Sequence, residues 1–128
     1  MMGMERVGPL VAIVDDDYSV RRALHRLVLS LACRSQIFAS GEEFLEGLRE
    51  ASPDCVLLDL HMPGLQGLDV LRRMRWEGRS VPTIVMTGFD QHGVRDKCLE
   101  AGATAYLVKP LERSVVASAI RDAISTSS

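Results

Sequence analysis

Residues 10–17 read LVAIVDDD, five apolar residues followed by three aspartates. An unbroken apolar run of this length is typical of a strand buried on both faces of a parallel sheet. Because the run stops in charged residues, the strand is predicted to reach solvent at its carboxyl end. The segment therefore predicts the first strand of an α/β domain, with acidic groups at one edge of the sheet.

The rest of the chain repeats this arrangement, with a helical segment after each strand. From Val20 to Leu31, apolar residues recur at i, i+3, i+4, i+7, i+8 and i+11, which is one face of a helix. Ser40 and Glu43 have the spacing of a capping box for the second helix, and Gly102 is expected to end the fourth helix in a left-handed conformation. The predicted strands are residues 10–14, 34–38, 55–58, 83–86 and 105–108.

Five strands interleaved with five helices predict a parallel sheet covered on both faces by right-handed crossovers, a three-layer α/β sandwich. The second strand is the most polar and is predicted to lie at an edge. In such sheets functional groups collect at the carboxyl ends of the strands. Four of the strand ends carry residues capable of chemistry, namely Asp15 to Asp17, Asp59, Thr87 and Lys109.

Length and composition limit the classes of protein that fit. The chain has 128 residues, 47% hydrophobic and 25% charged, which suits one globular domain. A formal charge of −2 gives no general electrostatic reason to bind nucleic acid or an anionic membrane. No apolar run approaches the roughly 20 residues of a membrane span, and the N-terminus lacks a secretory signal, so a cytoplasmic location is expected. Cys33, Cys55 and Cys98 are interpreted as reduced core thiols.

The aspartates at the strand ends predict a metal site. Asp15 and Asp16 end the first strand and Asp59 ends the third, so the three carboxylates can be neighbours in a doubly wound sheet. Carboxylates crowded together must take up protons or hold a cation. Oxygen ligands without a His or Cys pair favour Mg²⁺ over Zn²⁺. Lys109 would add a compact positive charge to the same pocket, and the Thr87 hydroxyl could donate a hydrogen bond.

Each residue also has a purely structural interpretation. Asp17 precedes a helix and is expected to cap it. Asp59 comes before the turn-forming pair Pro63-Gly64, and a lysine before proline is commonly a solvated loop residue. The coincidence of all four strand ends at one edge favours the functional interpretation.

The motifs as a set resemble the receiver domains of bacterial response regulators, over about residues 9–124. The matching motifs are Val14-Asp15-Asp16-Asp17, Leu58-Asp59-Leu60-His61-Met62-Pro63-Gly64 with Gly67, Met86-Thr87-Gly88, and Val108-Lys109-Pro110. The resemblance implies a flavodoxin-like (CheY-like) fold with strand order 2-1-3-4-5 and five helices. Residues 1–8 would then be an N-terminal extension, and residues 125–128 a tail or the start of a linker.

The resemblance also implies roles for individual residues. Asp59 would be the phosphoacceptor, and Asp16 and Asp59 would bind Mg²⁺ directly. The backbone carbonyl of His61 would be a third protein ligand of the ion, and Asp15 would act largely through water. Lys109 would contact the acyl phosphate.

Two further residues correspond to the switch of this family. Thr87 would hydrogen-bond the phosphoryl group, and Tyr106 matches the aromatic residue that turns inward when this threonine moves. The bond between Lys109 and Pro110 is expected to be cis. The chain would therefore be a switch rather than an enzyme.

The sequence pattern around Thr87-Gly88 looks most like that of the FixJ or NarL class. This resemblance implies a sensor histidine kinase as phosphodonor. It also implies transcription as the output, through a domain outside this chain. The resemblance also implies phosphorylation-dependent homodimerisation through the fourth helix and the fifth strand; the helix carries Val94, Arg95, Lys97 and Cys98. The arginines Arg72, Arg73, Arg75 and Arg79 are interpreted as solvated cations at a helix end, without direct nucleic-acid binding by this chain.

Two rival functions fit parts of the pattern. Residues 15–19 can be written D-x-D-x-S, close to the nucleophile motif of haloacid-dehalogenase-type phosphatases, but Gly88-Phe89 stands where those Mg²⁺-dependent enzymes place a second acidic group. The other rival is a phosphorylation-independent interaction module with a receiver fold. The intact set of Asp15, Asp16, Asp59, Thr87 and Lys109 favours a working switch over both.

Overall fold

Five parallel strands form one sheet in the order β2-β1-β3-β4-β5. The structure is a computed structural model and describes residues 8–127. The strands are β1 (Leu10–Val14), β2 (Arg34–Phe38), β3 (Cys55–Asp59), β4 (Thr83–Thr87) and β5 (Ala105–Val108). The helices are α1 (Tyr18–Ser30), α2 (Gly41–Gly47), α3 (Gly67–Trp76), α4 (Val94–Glu100) and α5 (Arg113–Ser127). The predicted sandwich and strand order are confirmed.

The two faces of the sheet carry separate hydrophobic cores because side chains alternate along each strand. On one face, Ala12 and Val14 of β1 pack with buried residues of α2 and α3 such as Phe44 and Val70. On the other face, the remaining strand side chains pack with apolar residues of α1 and α5, including Leu24, Leu27, Val116 and Ile120. Burial on both faces explains why the central strands are uninterrupted apolar runs.

The register of the sheet brings the strand ends together. Val14 pairs with Leu58, and Asp59 pairs with Met86. Thr87 in turn pairs with Val108. The carboxyl ends of four strands therefore meet at one edge of the sheet. The residues found there are Asp15 after β1, Asp59 at the end of β3, Thr87 at the end of β4 and Lys109 after β5.

Most predicted boundaries and caps are confirmed. β3 and β4 each include one further residue, Asp59 and Thr87, and α5 continues past Ile124. Asp17 caps α1, since its Oδ1 accepts hydrogen bonds from the backbone N–H groups of Ser19 and Val20. Gly102 follows α4 with a φ of 112°. The three cysteines are buried free thiols, and the Lys109-Pro110 bond is cis.

The predicted capping box of α2 is half correct. Ser40 Oγ accepts a hydrogen bond from Glu43 N, as expected. Glu43 Oε1, however, accepts from the backbone N–H of Ala39 rather than that of Ser40. The carboxylate reaches one residue farther back because the extended backbone at Ser40 exposes the Ala39 N–H.

Candidate functional site

Three carboxylates converge at the carboxyl edge of the sheet. Asp15 follows β1 and Asp59 ends the adjacent strand β3, so the chain path itself makes them neighbours. Asp15, Asp16 and Asp59 each offer an oxygen, and these oxygens lie within 4.8 Å of one another. Asp15 is 0% exposed and Asp59 is 4% exposed, whereas Asp16 faces solvent. The site thus has two buried carboxylates, and the third, that of Asp16, lies at the solvent-exposed side.

Lys109 provides the positive charge of the site. Its Nζ donates to Asp15 Oδ2 at 2.9 Å and to Asp59 Oδ1 at 3.3 Å. Burial lowers the pKa of this amine, but the hydrogen bond and charge of Asp15, together with Asp59, outweigh burial and raise the pKa overall. The lysine therefore stays protonated and bridges the two buried carboxylates, offsetting part of their repulsion.

Asp59 is the titratable group that the site perturbs most. Its pKa is raised from 3.8 to about 6; burial is the largest cause, and the negative charges of Asp15 and, to a lesser degree, Asp16 act in the same direction. The charge and hydrogen bond of Lys109 act in the opposite direction. A carboxylate kept near Lys109 but poorly solvated is an available nucleophile at neutral pH, since most of it is ionised there.

The local backbone holds these side chains in place. Asp15 Oδ1 accepts a hydrogen bond from Asp17 N at 2.9 Å, and the Asp15 carbonyl accepts one from Arg21 Nη1 at 2.8 Å. At the other strand, α3 begins directly against the end of β3. A Cβ at Gly67 would lie 2.5 Å from the carbonyl oxygen of Asp59, so only glycine allows this close approach.

Thr87 and Tyr106 are at the predicted positions but make other contacts. Thr87 is buried, and its Oγ1 donates to the carbonyl of Phe89 and accepts from the Phe89 N–H, both at 3.0 Å. The half-buried Tyr106 donates its hydroxyl hydrogen to Asp90 Oδ1 at 2.9 Å. Burial, with the hydrogen bond to Asp90, raises the pKa of Tyr106 to about 12, so the phenol stays protonated.

Asp90, the hydrogen-bond partner of Tyr106, is a residue near the switch that the sequence analysis did not identify. It lies in the loop between β4 and α4, where an acidic residue is unremarkable. Only the folded arrangement places its carboxylate beside a tyrosine of β5. Asp90 and Phe89 therefore tie both predicted switch residues to the same loop.

His61 and Phe89 each lie two residues beyond the end of a strand, β3 and β4 respectively, and so at the same edge of the sheet as the site. Both side chains are exposed, and their ring centroids are 6.4 Å apart with the planes inclined at 46°. Phe89 is 62% exposed. The Phe89 ring is therefore in solvent beside His61 rather than packed into the core.

The donor set of the site suits a hard divalent cation. Its ligands are carboxylate oxygens, two of them buried, and a protonated lysine offsets only part of their charge. Oxygen donors of this kind match Mg²⁺ better than softer metals. The acidic cluster is thus consistent with a metal site.

The comparisons with known proteins agree with the fold and the site. Residues 11–121 match the family described as "Response regulator receiver domain". The chain belongs to this family. Among curated relatives, the response regulator protein TmoT of Ectopseudomonas mendocina is 35% identical over 90% of this chain and 52% of its own length. The transcriptional regulatory protein FixJ of Bradyrhizobium diazoefficiens is 32% identical over 88% of this chain and 57% of its own.

A solved structure of a response regulator receiver protein from Burkholderia phymatum is 42% identical, with a TM-score of 0.80, and the match covers 91% of this chain and 95% of that one. The chain spans about half the length of the curated relatives just described. A receiver domain is a signalling module and not an enzyme in the usual sense. Within residues 8–127, no helix is both long enough and apolar enough to cross a bilayer.

Proposed function

We propose that this receiver domain accepts a phosphoryl group on Asp59. The observation that carries the proposal is the position of Asp59, buried at a strand end between two other carboxylates and 3.3 Å from the Lys109 amine. One of its oxygens would form a bond to phosphorus while the bond from phosphorus to the donor breaks. The result is an acyl phosphate on Asp59 and a released donor.

The remaining residues supply charge and position. Lys109 Nζ is placed to contact a phosphoryl oxygen once it releases Asp59, and Asp15 keeps this amine protonated and oriented. Asp16, Asp59 and the backbone carbonyl of His61 are proposed to hold Mg²⁺, with Asp15 acting largely through water. The ion would contribute the positive charge that phosphoryl oxygens require.

The experiment that tests this function is labelling with a small phosphodonor. With acetyl phosphate and Mg²⁺, intact-mass spectrometry should detect one added phosphoryl group per chain. The bond should be labile to hydroxylamine, as acyl phosphates are, and labelling should stop when EDTA removes the metal. A label that survives hydroxylamine would place the group on a hydroxyl and contradict the proposal.

We further propose that Thr87 and Tyr106 convert phosphorylation into a surface change. A phosphoryl group brings roughly −1.5 to −2 units of charge and new acceptor oxygens. These oxygens compete with the Phe89 carbonyl for the Thr87 hydroxyl, so the loop carrying Phe89 and Asp90 would move. That movement would carry Asp90 away and break its hydrogen bond with the Tyr106 hydroxyl. The Tyr106 ring would then be free to turn inward.

The output is proposed to be transcription, through a domain outside residues 9–124, as in the FixJ or NarL class. The similarity to FixJ, a transcriptional regulatory protein, supports this class. A sensor histidine kinase would be the phosphodonor, and transfer from an ATP-dependent kinase also implies a cytoplasmic location. Residues 1–8 and 125–128 are proposed to be an extension and a tail or linker; residues 1–7 and 128 lie outside the described part of the chain.

Self-association is the proposed physical consequence of phosphorylation. Of the four α4 residues predicted to form the surface, Arg95 and Lys97 are exposed, Val94 is half-buried, and Cys98 is fully buried. Cys98 therefore belongs to the core and not to the interface. On adding beryllofluoride and Mg²⁺, sedimentation velocity should show a monomer becoming a dimer, and Arg95→Glu should weaken the dimer. An unchanged mass would exclude this output.

A long phosphoryl lifetime is expected from Phe89. Its exposed ring beside His61 offers no hydrogen bond to orient an attacking water, and we propose that it shields the approach to Asp59. Phe89→Glu should speed phosphoryl loss several-fold, whereas His61→Asn should have a smaller effect. The decay of radiolabelled protein after donor removal measures both rates. Slower loss from Phe89→Glu would reverse the argument, and unchanged rates in both variants would remove it.

A further inference from the structure

The edge of the sheet opposite to the phosphoacceptor site carries a groove. A cavity of about 510 Å³ lies between the end of α3, the start of β4 and the end of α4. A second cavity of about 410 Å³ lies between α3 and α4. Both are lined by Arg75 and Ala101, so they are adjacent, and the two together are called here the α3/α4 groove.

Part of the floor of the α3/α4 groove is apolar. Val81 and Pro82, which lead into β4, and Ala101, which follows α4, are half-buried and line it. Leu71 and Met74 of α3 lie beneath them and are almost completely buried. Ser80, Thr83 and Thr104 add polar groups to the same lining. The three half-buried apolar residues offer contacts to an apolar side chain of a partner.

The rim of the groove is cationic. Arg72, Arg75, Arg79 and Lys97 line it together with one carboxylate, Glu100. With Glu77, which pairs with Arg79, the net formal charge of this surface is +2 in a chain of net charge −2. Two of the cations are partly engaged within the domain. Arg75 donates to the Glu100 carbonyl, and Arg79 contacts Glu77 and donates to the carbonyl of Leu48.

Trp76 marks the groove as a contact surface. This last residue of α3 lines the second cavity and is 84% exposed. An indole exposed to water does not gain the large favourable free energy of hydrophobic burial. Tryptophan and arginine are also among the residues most enriched at the energetically important positions of protein interfaces. Trp76 flanked by Arg72, Arg75 and Lys97 therefore indicates a covered surface.

We propose that the α3/α4 groove binds an acidic amphipathic segment of a partner protein. Apolar side chains of the segment would occupy the floor, and its carboxylates would pair with the rim, as when an amphipathic helix lies in a groove. Charge complementarity selects an acidic occupant, and the aliphatic floor selects a peptide over a nucleic acid, which would use stacking and phosphate contacts instead. The proposal gives the arginines at the end of α3 a role, which is to bind the carboxylates of the partner segment.

The groove is distinct from the phosphoacceptor site. Thr83 lines it, while Thr87 at the other end of β4 belongs to the site, and four residue steps along a strand span about 13 Å. Binding in the groove is thus expected for the unphosphorylated chain. Asp59→Asn should bind the segment as the wild type does, so the two proposals fail separately.

The intrinsic fluorescence of the chain reports directly on the groove, because Trp76 is the only tryptophan. The probe is a capped helical peptide with leucines at i, i+3, i+4 and i+7 on one face and glutamates on the other. Titration should shift the emission of Trp76 and saturate, and added salt should weaken binding. A peptide with serine in place of leucine should bind at least about 10-fold more weakly because it cannot fill the floor.

Charge reversal on the rim provides the variant test. Arg72→Glu combined with Lys97→Glu should weaken binding of the acidic peptide at least about 10-fold. Arg26→Glu, at an exposed position of α1 on the other face of the sheet, is the matched control and should leave binding unchanged. Circular dichroism checks that all three proteins are folded.

Several results would overturn the proposal. No saturable shift with the leucine peptide would exclude the groove as a peptide site. Equal binding of the serine peptide would reduce the effect to nonspecific charge attraction. Tighter binding of a single-stranded oligonucleotide than of the peptide would assign the groove to a nucleic acid. If the mass of the chain alone rose with concentration and Lys97→Glu abolished that rise, the groove would be assigned to a second copy of the chain.

Discussion

Replacing Asp59 with asparagine should abolish phosphoryl uptake from acetyl phosphate in the presence of Mg²⁺. The substitution keeps the size of the side chain but removes the carboxylate that is to attack phosphorus, and an amide oxygen forms no stable acyl phosphate. It also removes one of the three converging carboxylates. We expect the extent of labelling to fall by at least about 100-fold, to the background of the assay.

The matched control is Asp96→Asn, which makes the same chemical change at an exposed position in the first turn of α4. It should be labelled as the wild type is. Intact-mass spectrometry on the three proteins, treated in parallel, gives the answer. Equal labelling of Asp59→Asn and wild type would show that another residue is the acceptor and would overturn the proposed function.

The same substitution should make the metal-free domain more stable at pH 8. The pKa of Asp59 is about 6 in the folded protein and about 3.8 without the protein environment. A carboxyl whose pKa is raised by folding contributes stability that is fully present below pH 3.8 and is lost as the pH rises through 6. Asparagine stays neutral and keeps that contribution at every pH.

The expected gain for Asp59→Asn at pH 8 is on the order of 2 kcal/mol, falling to a few tenths near pH 4. Urea unfolding at both pH values, with EDTA present, measures the difference from wild type. Asp96→Asn again serves as control and should show no such dependence on pH. A variant less stable than wild type at pH 8 would mean that the ion pair between Lys109 and Asp59 outweighs the burial of charge.

These two experiments separate chemistry from packing. Loss of labelling by a variant that is more stable than wild type cannot be explained by unfolding. Conversely, a destabilised Asp59→Asn would leave the labelling result open to that explanation, and the hydroxylamine test on the wild type would then carry the assignment of the acceptor.

The strand pattern and the sites at the strand ends could be read from the sequence alone. Buried parallel strands are typically continuous apolar runs, so residues 10–14 and 55–58 could be predicted as strands from their composition, and the residues that follow them are Asp15 and Asp59. The parallel architecture then requires the strand ends to share one edge. Local caps such as Asp17 were equally predictable, because a cap depends on residues close in the chain.

The tertiary structure decided everything that depends on contacts between segments distant in sequence. Which carboxylates Lys109 binds, and that Asp90 holds Tyr106, are set by the packing of loops after different strands. Cys98 and Phe89 show the same limit, since helical periodicity is weak in a short helix and a loop side chain has no periodicity at all. The α3/α4 groove exists only because two helix ends and the start of β4 meet in space. A sequence records the residue types along each segment, but the distance and burial that determine their pKa values and partners arise only when the segments pack.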